Sequence, residues 1–122
     1  MKIRIRGNSV RYRLTRDEVE HLCREKSIEE RINFSKLDLI YEVKVADTEQ
    51  LDIHFSDNRI TLKISDSLIE NWETNNRVGF SHTLVTSNGK SIDVLLEKDF
   101  TCLEDRGEDE SNNYPNPKSL AL

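Results

Sequence analysis

Cysteine, proline, glycine and aromatic residues are all scarce in this 122-residue chain, and each scarcity excludes a class of structure. Cys23 and Cys102 stand far apart, with no CxxC pair and no regular spacing. That excludes a disulfide-dense scaffold and the usual zinc patterns. The two read as free thiols in a reducing, cytoplasmic setting, with a single disulfide as the alternative. The four glycines form no nucleotide-binding loop, and no GxSxG, HExxH or Ser-His-Asp order is present. No apolar run approaches a membrane span, and the opening residues alternate in charge where a signal peptide would be apolar. Tyr12, the aromatic between Arg11 and Arg13, points away from the arginine face, and the net charge is −5. Both argue against general nucleic-acid binding.

What is present suffices for one folded domain. Ile, Leu, Val and Phe number 34 of 122 residues, above the fraction at which disorder is the default. Charged residues reach 34%, so the surface is heavily charged. The charge is also uneven. Residues 1–16 hold six basic groups (Lys2, Arg4, Arg6, Arg11, Arg13, Arg16) and no acid. Residues 97–110 hold seven acids against Lys98 and Arg106.

Residues 1–14 predict a β-hairpin turning at Gly7-Asn8. Ile3, Ile5, Val10, Tyr12 and Leu14 alternate onto one face; Lys2, Arg4, Arg6, Arg11 and Arg13 fall on the other. A two-residue turn sets Arg4 opposite Arg11 and Lys2 opposite Arg13. Like charges directly opposite destabilise a sheet by roughly 0.2–1 kcal/mol per pair. Such a face calls for an anion, either the chain's own tail, a partner's acidic segment, or a bound phosphate or carboxylate ligand; the competing reading is a solvated basic face.

Thr15 through Glu18 form a capping box, opening a helix to about Lys26 with Val19, Leu22 and Cys23 on one stripe. Strands are expected next at Ile28–Phe34 and Leu37–Val45. A second hairpin turns at Asp57-Asn58 and sets Asp52 across from Lys63 and His54 across from Thr61. Asp66 is expected to cap a short helix with Leu68, Ile69 and Trp72 buried. A third hairpin, about Val78 to Glu97, turns at Asn88-Gly89. The expected fold is α+β: about eight mainly antiparallel strands in sequential hairpins, forming a curved sheet or small open barrel, with two short helices. Residues 1–103 form the domain and 104–122 an acidic, Pro-containing tail. No internal repeat is evident beyond the recurring hairpin.

If Asn88-Gly89 is a two-residue turn, His82 lies opposite Leu95 with Asp93 and Glu97 as diagonal neighbours. A histidine between carboxylates can act as a general base in a hydrolase or as a metal ligand. The competing reading is a half-buried structural histidine. Cys102 is followed by Glu104 and Asp105, which disfavour a thiolate. Cys23 reads as a small core residue, and His21 and His54 as solvated. The acidic tail lacks the ligand spacing of an EF-hand. No metal or cofactor is implied.

The opening KIRIRGNSVRYRLTRDEV and the closing LLEKDFTCLEDRGEDESNNYPNP resemble a family of small bacterial proteins carrying a domain-of-unknown-function label. The distinctive residues are Glu97-Lys98-Asp99-Phe100, Cys102-Leu103, Arg106, Glu108-Asp109 and Tyr114-Pro115-Asn116-Pro117. The resemblance implies a cytoplasmic bacterial domain and an ordered tail, and brings no catalytic residues.

The expected function is that of a non-enzymatic binding domain. Its basic hairpin face, Arg4, Arg6, Arg11 and Arg13, recognises an acidic segment, either its own tail or a partner's. The alternative is a phosphate- or polyphosphate-binding domain in which Lys44, Arg59 or Lys63 assists. Triphosphate-tunnel enzymes are an architectural analogue, but their opening Glu-x-Glu-x-Lys is absent. A third reading is a hydrolase or metal-dependent enzyme around His82.

Overall fold

The computed structural model describes residues 1–100, Asn112 and Tyr114. The chain runs β1 (Lys2–Arg6), β2 (Ser9–Leu14), α1 (Arg16–Glu25), β3 (Ser27–Asn33), β4 (Asp38–Val45), β5 (Asp52–Ser56), β6 (Arg59–Ile64), α2 (Asp66–Ile69), β7 (Gly79–Val85) and β8 (Ser91–Lys98). Among the described residues the eight strands and two short helices match the expected inventory. Their arrangement does not: they form two four-stranded sheets, not one curved sheet or open barrel. Sheet A has the order β1-β2-β8-β7 and sheet B the order β3-β4-β6-β5. Neighbouring hairpin strands are antiparallel, but β2 pairs with β8, and β4 with β6, in parallel.

The order of elements repeats. Hairpin, helix, hairpin (β1-β2-α1-β3-β4) is succeeded by hairpin, helix, hairpin (β5-β6-α2-β7-β8). Each sheet joins the first hairpin of one repeat to the second hairpin of the other. The repeat is therefore interleaved, and it reaches further than the recurring hairpin. Positions fifty residues apart correspond: Val10 and Ile60, Tyr12 and Leu62, Leu14 and Ile64, Thr15 and Ser65, Val19 and Ile69, Leu22 and Trp72. Every apolar residue in that series except the half-buried Ile60 is buried. Backbone hydrogen bonds correspond too. Leu14 O accepts from Asp99 N at 2.8 Å, and Ile64 O accepts from Ala46 N at 2.9 Å. Asn8 O accepts from Asp93 N at 3.0 Å, and Asn58 O accepts from Ile40 N at 2.9 Å.

The two sheets and both helices share one core. Sheet A contributes Val10, Tyr12, Leu14, Phe80, Val94 and Leu96; sheet B contributes Val43, Leu62 and Ile64. The two helices add Val19, Leu22 and Ile69, and the turn after α2 adds Trp72. Tyr12 spans the sheets, donating from its hydroxyl to Ile60 O at 3.2 Å. Trp72 meets Phe80 edge-on, with ring centroids 5.1 Å apart. The cap of α1 is as expected: Glu18 Oε1 accepts from Thr15 N at 2.9 Å. The cap of α2 is Ser65, not Asp66, its hydroxyl accepting from Leu68 N at 3.3 Å. That is the residue Thr15 predicts at the corresponding position of the repeat.

The third hairpin departs by one residue from the expected register. Val85 pairs with Ser91 and His82 with Val94. Gly89 N donates to Thr86 O at 3.0 Å, Thr86 N donates to Lys90 O at 2.8 Å, and Gly89 has φ +79°. Ser87-Asn88-Gly89 is thus a three-residue loop whose glycine takes the left-handed position. A three-residue loop shifts the pairing by one relative to a two-residue turn, and one step moves every side chain to the other face.

Candidate anion-binding face

The first hairpin adopts the predicted register: Arg4 lies opposite Arg11, Lys2 opposite Arg13 and Arg6 opposite Ser9. Gly7 carries the positive φ, +54°, that the two-residue turn requires. Tyr12, Val10 and Leu14 take the inward face, which turns the four arginines outward. β8 continues this outer face beside β2, with Ser9 next to Asp93, Arg11 next to Leu95 and Arg13 next to Glu97.

Two acids of β8 meet the sheet's polar groups. Arg11 Nε lies 2.9 Å from Glu97 Oε1, with both side chains partly exposed. Asp93 accepts from Thr83 Oγ1 at 2.8 Å. Just past β8, Asp99 Oδ2 lies 3.4 Å from Lys2 Nζ. The side chains of Arg4, Arg6 and Arg13 make no hydrogen bond or ion pair among the described residues. Arg4, Arg6, Ser9 and Arg11 line a shallow notch of about 150 Å³. It is a cationic recess with one hydroxyl and no carboxylate in its lining.

The outer face of sheet B has a different character. Arg59 Nη1 donates to Glu29 Oε2 at 2.6 Å and to Glu42 Oε2 at 2.9 Å, and Thr61 Oγ1 donates to Glu42 Oε1 at 2.8 Å. The glutamates raise the Arg59 pKa above its ordinary value through hydrogen bonding and charge. Arg31 adds an ion pair to Asp38 at 3.1 Å. Lys44, Arg59 and Lys63 share this face in register, so the structure does not bring them to the arginines of sheet A.

The His82 cluster does not form. His82 is half-buried on the same face as Phe80 and Leu84, opposite Val94, whereas Asp93 and Glu97 take the other face. Those two carboxylates are spent on Thr83 and Arg11. Among the described residues no three His, Cys, Asp or Glu side chains gather to hold a metal.

Cys23 is half-buried, its thiol directed at Ile69 O at 3.5 Å. Burial and the nearby Glu73 push its pKa up to about 11, so it carries no thiolate near neutrality. His21 is half-buried on α1, where solvation was expected, and His54 is exposed on β5. Cys102 and the acids at 104–110 lie outside the described residues. Two described residues of the tail pack against the domain. Asn112 O accepts from Arg16 N at 3.2 Å, and Asn112 Nδ2 donates to Thr15 Oγ1 at 3.1 Å. Tyr114 is buried against Phe100, with Lys98 Nζ 4.9 Å from its ring centroid. These contacts lie at the Leu14 end of β2, away from the Gly7-Asn8 turn.

Sequence reasoning missed the cleft beside that turn. Residues of both sheets there line an open cleft of about 660 Å³, among them Ile5, Val10, Ile53, Phe55, Leu84 and Ile92. Ile5 is 59% exposed, Phe55 66% and Val85 75%, so large apolar side chains stand in water at its mouth. The signal was the correspondence of Ile5 with Phe55, fifty residues apart, which brings two non-core apolar residues to one end of the interleaved sheets.

Among the described residues no helix is long and apolar enough to cross a membrane. No curated protein and no solved structure matches the chain. A family model does: Family of unknown function (DUF7009) matches residues 1–118, and the chain belongs to that family.

Proposed function

We propose that this is a non-enzymatic binding domain whose arginine face recognises an acidic polypeptide segment. One observation carries the reading. Arg4, Arg6 and Arg13 have no anionic side-chain partner among the described residues, whereas on the outer face of sheet B Arg59 is paired with Glu29 and Glu42 and Arg31 with Asp38. Arginine suits the role because its planar guanidinium binds a carboxylate through two parallel hydrogen bonds. The segment comes from a partner or from the chain's own acids at 104–110.

The test is titration of labelled oligoglutamate into the full chain. Saturable binding is expected, weakened by salt and lost in Arg4→Ala/Arg6→Ala/Arg13→Ala. Replacing Glu104, Asp105, Glu108, Asp109 and Glu110 by their amides retains Asn112 and Tyr114. Tighter oligoglutamate binding in that variant identifies the tail as the resident segment; unchanged binding assigns the face to a partner. The notch at Arg4, Arg6, Ser9 and Arg11 favours a second reading, a small phosphorylated ligand. Saturable binding of tripolyphosphate with none of oligoglutamate establishes that reading and overturns the first.

A further inference from the structure

The arginine face, the apolar cleft and an open strand edge meet at β1. Among the described residues β1 is the outermost strand of sheet A and pairs only with β2. Across a two-residue turn the flanking residues, Arg6 and Ser9, form a hydrogen-bonded pair, and hydrogen-bonded pairs then alternate along the strands. Arg4 and Arg6 thus spend their backbone groups on β2. The N–H and C=O of Ile3 and Ile5 point outward, and no other described element bonds to them.

Charged side chains on an edge strand are a common guard against strand pairing. That accounts for Arg4 and Arg6. It does not account for Arg11 and Arg13, which sit on β2, an interior strand. Nor does it account for Ile5 at 59% exposure on the same edge. Side chains of a strand laid along β1 would alternate between two environments. Those on the outer face would stand beside Arg4 and Arg6, within the cross-strand reach of about 4.5–5.5 Å. Those on the inner face would stand beside Ile3 and Ile5, above the cleft and Phe55. Ser9 lines both the notch and the cleft, so the two environments are contiguous.

We infer that β1 accepts an extended partner segment as a fifth strand of sheet A, with acidic and apolar residues alternating. The acidic residues meet the arginines, the apolar residues cover Ile5 and enter the cleft, and the backbone bonds to Ile3 and Ile5. This deepens the reading of the arginine face and rests on it. Strand addition of this kind draws affinity from main-chain hydrogen bonds and specificity from alternate side chains.

The experiment compares three synthetic probes on the full chain. One is a peptide of alternating Glu and Val; one has the same composition with all Glu preceding all Val; one is the alternating peptide N-methylated at every second residue, on the edge that would pair. The alternating peptide is expected to bind at least about tenfold tighter than either control. It should also slow amide exchange at Ile3 and Ile5. Equal binding of the alternating and block peptides, with no protection at Ile3 and Ile5, overturns strand addition while leaving charge recognition standing. Failure of both peptides and of oligoglutamate to bind overturns both. Tight binding of the N-methylated peptide overturns the backbone pairing directly.

Discussion

The hairpin β1–β2 and the hairpin β5–β6, fifty residues later, have the same inward half and opposite outward halves. Inward, Val10, Tyr12 and Leu14 correspond to Ile60, Leu62 and Ile64. Outward, Lys2, Arg4, Arg6, Arg11 and Arg13 correspond to Asp52, His54, Ser56, Thr61 and Lys63. In the second hairpin Asp52 faces Lys63 across the strands; in the first, Lys2 faces Arg13. The fold needs the inward half, because those residues are the common core of interleaved sheets. It does not need basic residues at all five of these outer positions, because the other repeat folds the same way with Asp52, His54, Ser56, Thr61 and Lys63 there. The arginines are thus a property of one hairpin and not of the architecture.

The largest effect tests whether the repeats are one unit. Trp72→Ala should cost about 3–5 kcal/mol and Leu22→Ala, at the corresponding position, about 2–5 kcal/mol. Both residues are fully buried. Since each sheet contains strands of both repeats, either substitution should lower a single cooperative transition. Urea unfolding monitored by circular dichroism checks this. Two separated transitions in the Leu22→Ala protein would mean that the repeats fold independently, contrary to the interleaving.

A smaller effect sharpens the contrast between the outer faces. Arg4→His installs the residue of the second hairpin opposite Arg11. Removing one of two directly opposed arginines should stabilise the fold by about 0.2–1 kcal/mol at low salt. The gain should fade as salt rises and the Debye length falls below the separation of the surface charges. Oligoglutamate should bind this variant more weakly. Thermal melts across a salt series, paired with the binding titration, test both halves. A variant that loses stability at low salt would show that Arg4 has a structural partner, and the face would lose its claim to be an open site.

The two hairpins with short turns were legible from sequence because their turns left no choice. Gly7-Asn8 and Asp57-Asn58 each occupy a two-residue loop, and Asp57 and Asn58 both take positive φ, +53° and +60°. Loop length sets the register, and register sets the pairs Arg4–Arg11 and His54–Thr61. Asn88-Gly89 carries the same signal, but Thr86 and Lys90 close the loop one residue wider, and the His82 cluster dissolved with that step. Alternating patterns name strands and their faces. They do not say which hairpin lies beside which, and the parallel contacts β2–β8 and β4–β6 join segments too distant for any local signal. The repeat carried that information. It is displayed most clearly by the core series, from Val10 with Ile60 to Leu22 with Trp72, because most outer positions differ in chemical type between the two halves.

The smallest effect lies where the correspondence of the repeats ends. After Ala46 the chain passes to β5, the far edge strand of the same sheet B, whereas after Asp99 it continues to Phe100, which bridges to Tyr114. Tyr114 also lies over Lys98, the position corresponding to Val45 through their pairing with Leu14 and Ile64. The Tyr114 hydroxyl is buried without a hydrogen-bond partner among the described residues, and burial pushes its pKa up to about 12. Tyr114→Phe removes that unsatisfied group, so stability near neutrality should change by no more than about 1 kcal/mol, in the stabilising direction. The pH dependence should change more visibly. The unfolded tyrosine ionises near 10. Stability tied to the protonated phenol is therefore complete below pH 10 and is lost as pH rises toward about 12. Tyr12 and Tyr41 are shifted upward too, chiefly by burial, so the variant's alkaline decline should become shallower but not flat. Lys98 works the other way. Burial lowers its pKa, so its contribution grows as pH rises toward the ordinary lysine value. Urea midpoints of both proteins between pH 8 and 12 measure the difference, and coincident curves would mean that Tyr114 is solvated rather than packed against the domain.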